Sequence, residues 1–272
     1  MRSKFRLIFA LLLSLSVTAG AAEDWAKTML EKSPRHGEWV KIQQGKRQLQ
    51  AFVVYPEIKE KATAVLVIHE IFGLSDWARL TADQLAEAGY IAVAPDLLSE
   101  MGPDGGGTDK LGGVDAVRKA ISSLPPDQIT ADLNACVDYI GKLPACNGKI
   151  AVAGFCWGGG QSFRFATNNQ TIKSAFVFYG TGPEQPAEIA RIQCPVYGFY
   201  AGNDARVGAT VPKSVELMKQ AGKTYDPVTY EGAGHGFMRA GLAPDSNDGN
   251  KKAQNDAWKR LTELLRQPER NK

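Results

Sequence analysis

Residues 149 to 167 hold the feature that most restricts what this chain can fold into. Lys149 to Gly154 reads as an apolar strand without alternation, the pattern of a central parallel strand covered on both faces, and a helical stretch runs from Trp157 to about Thr167. Between them stands Gly154-Phe155-Cys156-Trp157-Gly158. This is a Cys form of the G-x-S-x-G bend, which lifts a nucleophile out of the junction between a strand and a helix. The bend is strained, and a side chain two positions to either side would collide with the strand or helix alongside, so both flanking positions need glycine. Gly159 and Gly160 extend the run of small residues and let the helix lie close to a sheet. The N-terminus of that helix directs its dipole at the sulfur, which favours thiolate over thiol. A tight turn around a buried structural cysteine would share these letters. Strand, bend and helix in that order favour the nucleophile.

The rest of the chain repeats the alternation. Leu49 to Tyr55 and Ala64 to His69 read as strands, and Asp76 to Ala88 as an amphipathic helix with Leu80, Leu85 and Ala88 inward and Gly89 as its stop. Tyr90 to Ala94 is a short apolar strand closed by Pro95. Met101 to Gly113 carries six glycines in thirteen residues, a loop of the length often found at the rim of a site. A helix over Asp127 to Leu143 places Ile129, Leu133, Val137 and Ile140 on one face. Strands follow at Ser174 to Tyr179, Pro195 to Tyr200 and Thr224 to Tyr230, with helices over Val211 to Ala221 and Lys251 to Arg266. This order argues for the α/β class, one mostly parallel central sheet with helices on both faces, spanning residues 49–272 without an internal repeat. In such sheets ligands bind beyond the carboxyl ends of the strands. Residues 22–48 are polar and poorly patterned and read as an N-terminal arm or a first edge strand.

Upstream of the arm, Arg2, Lys4 and Arg6 precede an apolar run from Leu7 to Val17, followed by Ala19-Gly20-Ala21-Ala22. This is the layout of a secretory signal peptide, expected over residues 1–21 and removed after Ala-Gly-Ala. Its apolar run is shorter than the roughly 20 residues that span a bilayer. The protein is therefore expected outside the cytoplasm, in the periplasm or secreted, with no membrane attachment after cleavage. Without those three bases the 32 basic residues become 29, equal to the 29 acidic ones. A balanced chain with no basic run gives no reason to expect nucleic acid or an anionic membrane as partner. A small molecule is the expected partner, with a monomer as the simplest assembly. Of four cysteines, Cys136 and Cys146 are close enough in sequence to form a bridge if geometry brings them together, whereas Cys136 and Cys194 also suit small buried apolar positions.

A nucleophile needs a base, and on this bend the chain order is nucleophile, acid, then histidine. His235 lies in Gly232-Ala233-Gly234-His235-Gly236-Phe237 and Asp204 in Ala201-Gly202-Asn203-Asp204, each directly after a strand. Asp204 can orient the imidazole and stabilise its cation. Donors for an oxyanion are expected from the backbone N–H of Trp157 and from the loop His69-Glu70-Ile71-Phe72-Gly73, where Ile71 N–H is the candidate. Glu70 is unusual there and would meet water, the thiol proton or the His235 ring. His69 reads as structural, under the loop, and His36 lies in the arm. No metal or organic cofactor is called for.

The run His69-Glu70-Ile71-Phe72-Gly73-Leu74, Pro95-Asp96-Leu97, the Gly-Phe-Cys-Trp-Gly-Gly bend, Asp204 and Gly234-His235-Gly236-Phe237 together resemble the dienelactone hydrolase family, from about Leu49 to the end. The resemblance implies an α/β-hydrolase fold and a triad of Cys156, His235 and Asp204. It implies Glu70 as the acid that holds or accepts the Cys156 proton until substrate arrives. It also implies hydrolysis of a small ester or lactone through a thioester, with Arg239 binding a substrate carboxylate. This chain departs from the family at Asp96-Leu97-Leu98-Ser99-Glu100, where members acting on dienelactone carry a second arginine. An acid there is expected to repel a carboxylate substrate. Export is a second departure, from a cytosolic role. The competing expectation is a non-catalytic extracytoplasmic protein that uses the same fold to bind a small molecule.

Overall fold

The computed structural model describes residues 24–267, so the expected signal segment lies outside the described residues. Its strands are β1 (Gly37–Gln44), β2 (Arg47–Val54), β3 (Ala62–Ile68), β4 (Ile91–Pro95), β5 (Cys146–Phe155), β6 (Ser174–Phe178), β7 (Val196–Ala201) and β8 (Tyr225–Tyr230). They form one sheet in the order β1-β2-β4-β3-β5-β6-β7-β8. The β1–β2 and β2–β4 pairs are antiparallel, and every pair from β4 through β8 is parallel. The helices are α1 (Asp24–Glu31), α2 (Asp76–Glu87), α3 (Val114–Ser123), α4 (Pro126–Gly141), α5 (Trp157–Asn168), α6 (Pro186–Ile189), α7 (Ala205–Gly208), α8 (Val211–Gln220), α9 (Phe237–Ala240) and α10 (Asp248–Arg266). None of them is long and apolar enough to cross a membrane.

Strand β3 shows why the core has two layers. Its side chains alternate between faces, so Ala64, Leu66 and Ile68 join α4, α5 and α8 on one side, while Val65 and Val67 join α2 and α10 on the other. Both faces are therefore apolar, as the unalternating run in β5 requires. Helix α2 begins where the Ser75 hydroxyl accepts from Ala78 N–H, and it stops at Gly89, whose φ of +98° an L side chain rarely adopts. Across β5, β6 and β7, the rings of Phe155, Phe178 and Phe199 stack with centroids 4.6 and 4.2 Å apart, directly beneath the carboxyl ends of these strands. That ladder is a stiff floor for whatever stands above it, since each buried ring contributes roughly 1.5–3 kcal/mol.

The arm belongs to this architecture. Strand β1 pairs along its whole length with β2, which itself begins two residues before Leu49, and α1 packs on α2. Arg35 donates to both carboxylate oxygens of Asp83 on α2, at 3.0 and 2.5 Å, and the Ser33 hydroxyl donates to the same carboxylate. Helices α1 and α3 were not expected. The glycine-rich segment folds into two single turns, Pro103–Gly105 and Thr108–Lys110, and α3 starts directly after it. All four cysteines are free thiols, so the Cys136–Cys146 bridge does not form.

Candidate active site

Sheet order places β3 beside β5, with Ile68 opposite Gly154, so the loops that leave these two strands open next to each other. At the end of β5 the backbone of Cys156 takes φ 56° and ψ −117°, a conformation that costs an L residue about 1–3 kcal/mol. Its N–H donates to Phe178 O at 3.0 Å. The flanking glycines are steric necessities: a Cβ at Gly154 would stand 1.9 Å from Gly158 O, and one at Gly158 would stand 2.3 Å from His69 O.

The structure brings the later strand ends to this sulfur. His235 Nε2 is 3.0 Å from Cys156 Sγ, and its Nδ1 is 2.5 Å from Asp204 Oδ2. Asp204 is the N-cap of α7, where its other oxygen accepts from Val207 N–H at 3.2 Å. The carboxylate accepts from Nδ1–H, which leaves Nε2 free to accept the thiol proton. The hydroxyl-bearing ring of Tyr179 stands edge-on to the imidazole at 5.1 Å and limits its rotation.

Two backbone donors, the N–H groups of Trp157 and Ile71, act on the sulfur and pull the thiol pKa down, together with the charge of Arg206. They do not prevail. Burial, and then the nearby Glu70 carboxylate, push the Cys156 thiol up to about 11. The expectation that the helix N-terminus would favour thiolate is thus corrected: desolvation outweighs the dipole, and the resting group is a thiol.

Glu70 also departs from expectation. It is buried, with its side chain only 4% exposed, and its partners are neither the thiol nor the His235 ring. Arg239 Nε donates to Oε2 at 3.0 Å, and the Tyr179 hydroxyl donates to Oε1 at 3.3 Å. Burial pushes the Glu70 carboxyl above the usual carboxylate range, against the pull of Arg239 and Tyr179. The Arg239 guanidinium lies over the Phe72 ring, 5.0 Å from its centroid. His69 is structural, as expected. Leu97 N–H donates to Nε2 at 3.3 Å, so Nδ1 carries the proton and donates to Glu70 O at 2.9 Å, and the ring stacks on Trp157. Burial pushes the His69 pKa down, which keeps the ring neutral while it fixes the loop that carries Glu70 and Ile71. His36 stays remote in the arm, stacked on Tyr55.

These groups open into a pocket of about 690 Å³ above the sheet. Every expected site residue except Asp204 lines it: Glu70, Ile71, Cys156, Trp157, His235 and Arg239. Asp204 stands behind His235. Glu100 is not at the pocket. It accepts from Gln48 N–H at 3.0 Å on the β2 side, so the expected repulsion of a carboxylate at this position is corrected. The glycine-rich segment does not line the pocket either. Asp96 accepts from Thr108 N–H and hydroxyl, and the Thr108 hydroxyl accepts from Leu74 N–H, so the segment braces the loop after β3 from outside. Sequence reading passed over Tyr179, Phe72 and Arg206. Tyr179 does carry a signal, an aromatic residue directly after a strand and before Gly180-Thr181-Gly182, in the position that Cys156 occupies after β5.

Comparison with known proteins agrees with this architecture. The model of the dienelactone hydrolase family matches residues 49–268. A "putative carboxymethylenebutenolidase" of Methylorubrum extorquens is 32% identical over 215 residues, covering 75% of this chain and 71% of that protein. Another so described, from Salmonella typhi, is 30% identical over 238 residues, covering 80% and 82%. Among solved structures, a "putative dienelactone hydrolase" from Klebsiella pneumoniae superposes with a TM-score of 0.75 over 86% of this chain and 99% of that one, at 24% identity, which shows the shared α/β-hydrolase fold.

Proposed function

From the premise that this chain belongs to the dienelactone hydrolase family and is a hydrolase, we propose that it cleaves a small ester or lactone through a thioester on Cys156, with His235 as base and Asp204 as its orienting carboxylate. The observation that carries this reading is the continuous contact from sulfur to imidazole to carboxylate, 3.0 and 2.5 Å, at the mouth of a pocket.

In the resting site Glu70 holds the proton on the sulfur by its charge. A substrate anion that draws Arg239 away leaves Glu70 buried without its cation. The carboxyl then takes up a proton from solvent in the pocket, distinct from the thiol proton, and no longer opposes the thiolate. His235 Nε2 accepts the thiol proton as Sγ attacks the acyl carbon, and the tetrahedral oxyanion faces the N–H groups of Ile71 and Trp157. Collapse expels the alkoxide, which takes that proton from His235. The imidazole next removes a proton from water, the hydroxide attacks the thioester, and the acid leaves as Sγ is protonated again. The N-terminal charge and apolar pattern support export, so the reaction is placed outside the cytoplasm.

Cys156→Ala is expected to abolish turnover of p-nitrophenyl acetate while leaving the thermal melt unchanged within a few degrees. Retained turnover in a folded variant would overturn the assignment. Cys156→Ser should keep only weak activity, because an alkoxide needs a different match to the base.

A further inference from the structure

Three arginines line the pocket, Arg164, Arg206 and Arg239, and they differ in what already holds them. Arg239 is bound to Glu70. Arg164 donates through Nη1 to Pro126 O at 3.1 Å and to the Thr130 hydroxyl at 2.9 Å, which ties it to the start of α4. Arg206 makes no hydrogen bond or ion pair with a described residue. Its backbone is nonetheless fixed, because Asp204, the carboxylate that orients His235, also caps the turn on which Arg206 stands. The pocket contains two acids, Glu70 and Glu188, so three guanidinium groups leave it one positive charge in excess. The field of Arg206 reaches the reacting sulfur, where it favours the anionic form. A cation that lines a cavity, carries no carboxylate of its own and stands within electrostatic range of the nucleophile is complementary to an anion on the bound molecule.

We propose that Arg206 forms a second anion subsite, separate from Arg239, and that the pocket selects esters or lactones bearing two carboxylates. The inference rests on the hydrolase reading above and narrows its substrate class to derivatives of small polycarboxylic acids. Arg206 comes from α7, after β7, and Arg239 from α9, after β8, so the two guanidiniums present separate donors to one ligand.

The test compares two esters with one leaving group, p-nitrophenyl acetate and the mono-p-nitrophenyl ester of tricarballylic acid, which keeps two carboxylates. The readout is the ratio of kcat/KM for the dianionic ester to that for the neutral one. Arg206→Gln is expected to lower this ratio about tenfold, the low end for charge-assisted contacts because the side chain is exposed. Arg206→Lys should fall between, and the effects of Arg206→Gln and Arg239→Gln should multiply in the double variant. An unchanged ratio, or a double variant no worse than Arg239→Gln alone, overturns the subsite. So does a loss in Arg164→Gln that Arg206→Gln fails to match. Calorimetric titration with tricarballylate separates this inference from the one beneath it. Binding weakened about tenfold by Arg206→Gln sustains the subsite even if neither ester is turned over, an outcome that would sink the hydrolase reading alone. Binding indifferent to Arg206 removes the subsite whatever the turnover.

Discussion

At the scale of single residues, Cys156 is a thiol held protonated by burial and then by its neighbours. Glu70 raises the thiol pKa, and Arg239 keeps Glu70 ionised enough to do so. The sign of the effect is testable without substrate. Because the thiol sits near 11, the rate of alkylation by iodoacetamide should climb about tenfold per pH unit from neutrality toward pH 11. Glu70→Gln removes the charge that opposes the thiolate, so its profile should move to lower pH and its rate at pH 7 should exceed that of the wild type. An unmoved profile would show that burial alone sets the thiol. Cys156, His235 and Asp204 are legible in the sequence because each sits in a glycine-marked loop after a strand, in the chain order nucleophile, acid, histidine. The pairing of Glu70 with Arg239 was not legible. Its partners are 169 positions apart, and no local pattern says which of several charges an acid will meet. Glu100 misled for the same reason, since proximity in sequence to Asp96 did not put its side chain in the pocket.

At the scale of elements, the regular strands and long helices followed from periodicity, whereas the short pieces did not. The single turns α7 and α9 carry Arg206 and Arg239, yet four residues give no measurable period. Helix α3 was hidden behind the glycines that precede it, although Val117, Ala120 and Ile121 make one buried face. The arm looked polar because β1 is an edge strand with one side to solvent, and edge strands bury few residues. What fixes the arm is partly electrostatic. Asp83 is almost fully buried, and Arg35→Ala would leave it with Ser33 alone. The expected cost is about 3 kcal/mol, a fall of roughly 6–12 °C in the melting temperature by circular dichroism. Replacing both partners with apolar residues of similar size should recover part of that loss. A single variant as stable as the wild type would show this ion pair to be dispensable.

At the scale of the whole molecule, the arrangement of eight strands gathers five loop clusters, after β3, β5, β6, β7 and β8, at one end of the sheet. Composition and alternation suffice for the class of fold, and the register of β3 against β5 brings the N–H groups of Ile71 and Trp157 to the sulfur. Export belongs to this scale too. When the full chain is expressed in a bacterium, the protein is expected in the periplasmic fraction, and Edman sequencing should begin at about Ala22. An intact N-terminus in the cytoplasm would contradict it. Thiol titration of the purified protein in denaturant should count four free groups, in keeping with the unpaired cysteines.

The separation between the sulfur and its partners has a consequence for biogenesis. Cys156 is synthesised 79 residues before His235, and Glu70 169 residues before Arg239. A nascent chain therefore displays its thiol with neither His235 nor the Glu70–Arg239 pair in place, so the proposed turnover waits until the last strand and the turns beyond it dock. Until then burial and Glu70 do not yet raise the thiol pKa, so an unfinished or clipped chain carries a sulfur more open to alkylation than the folded one but no assembled site.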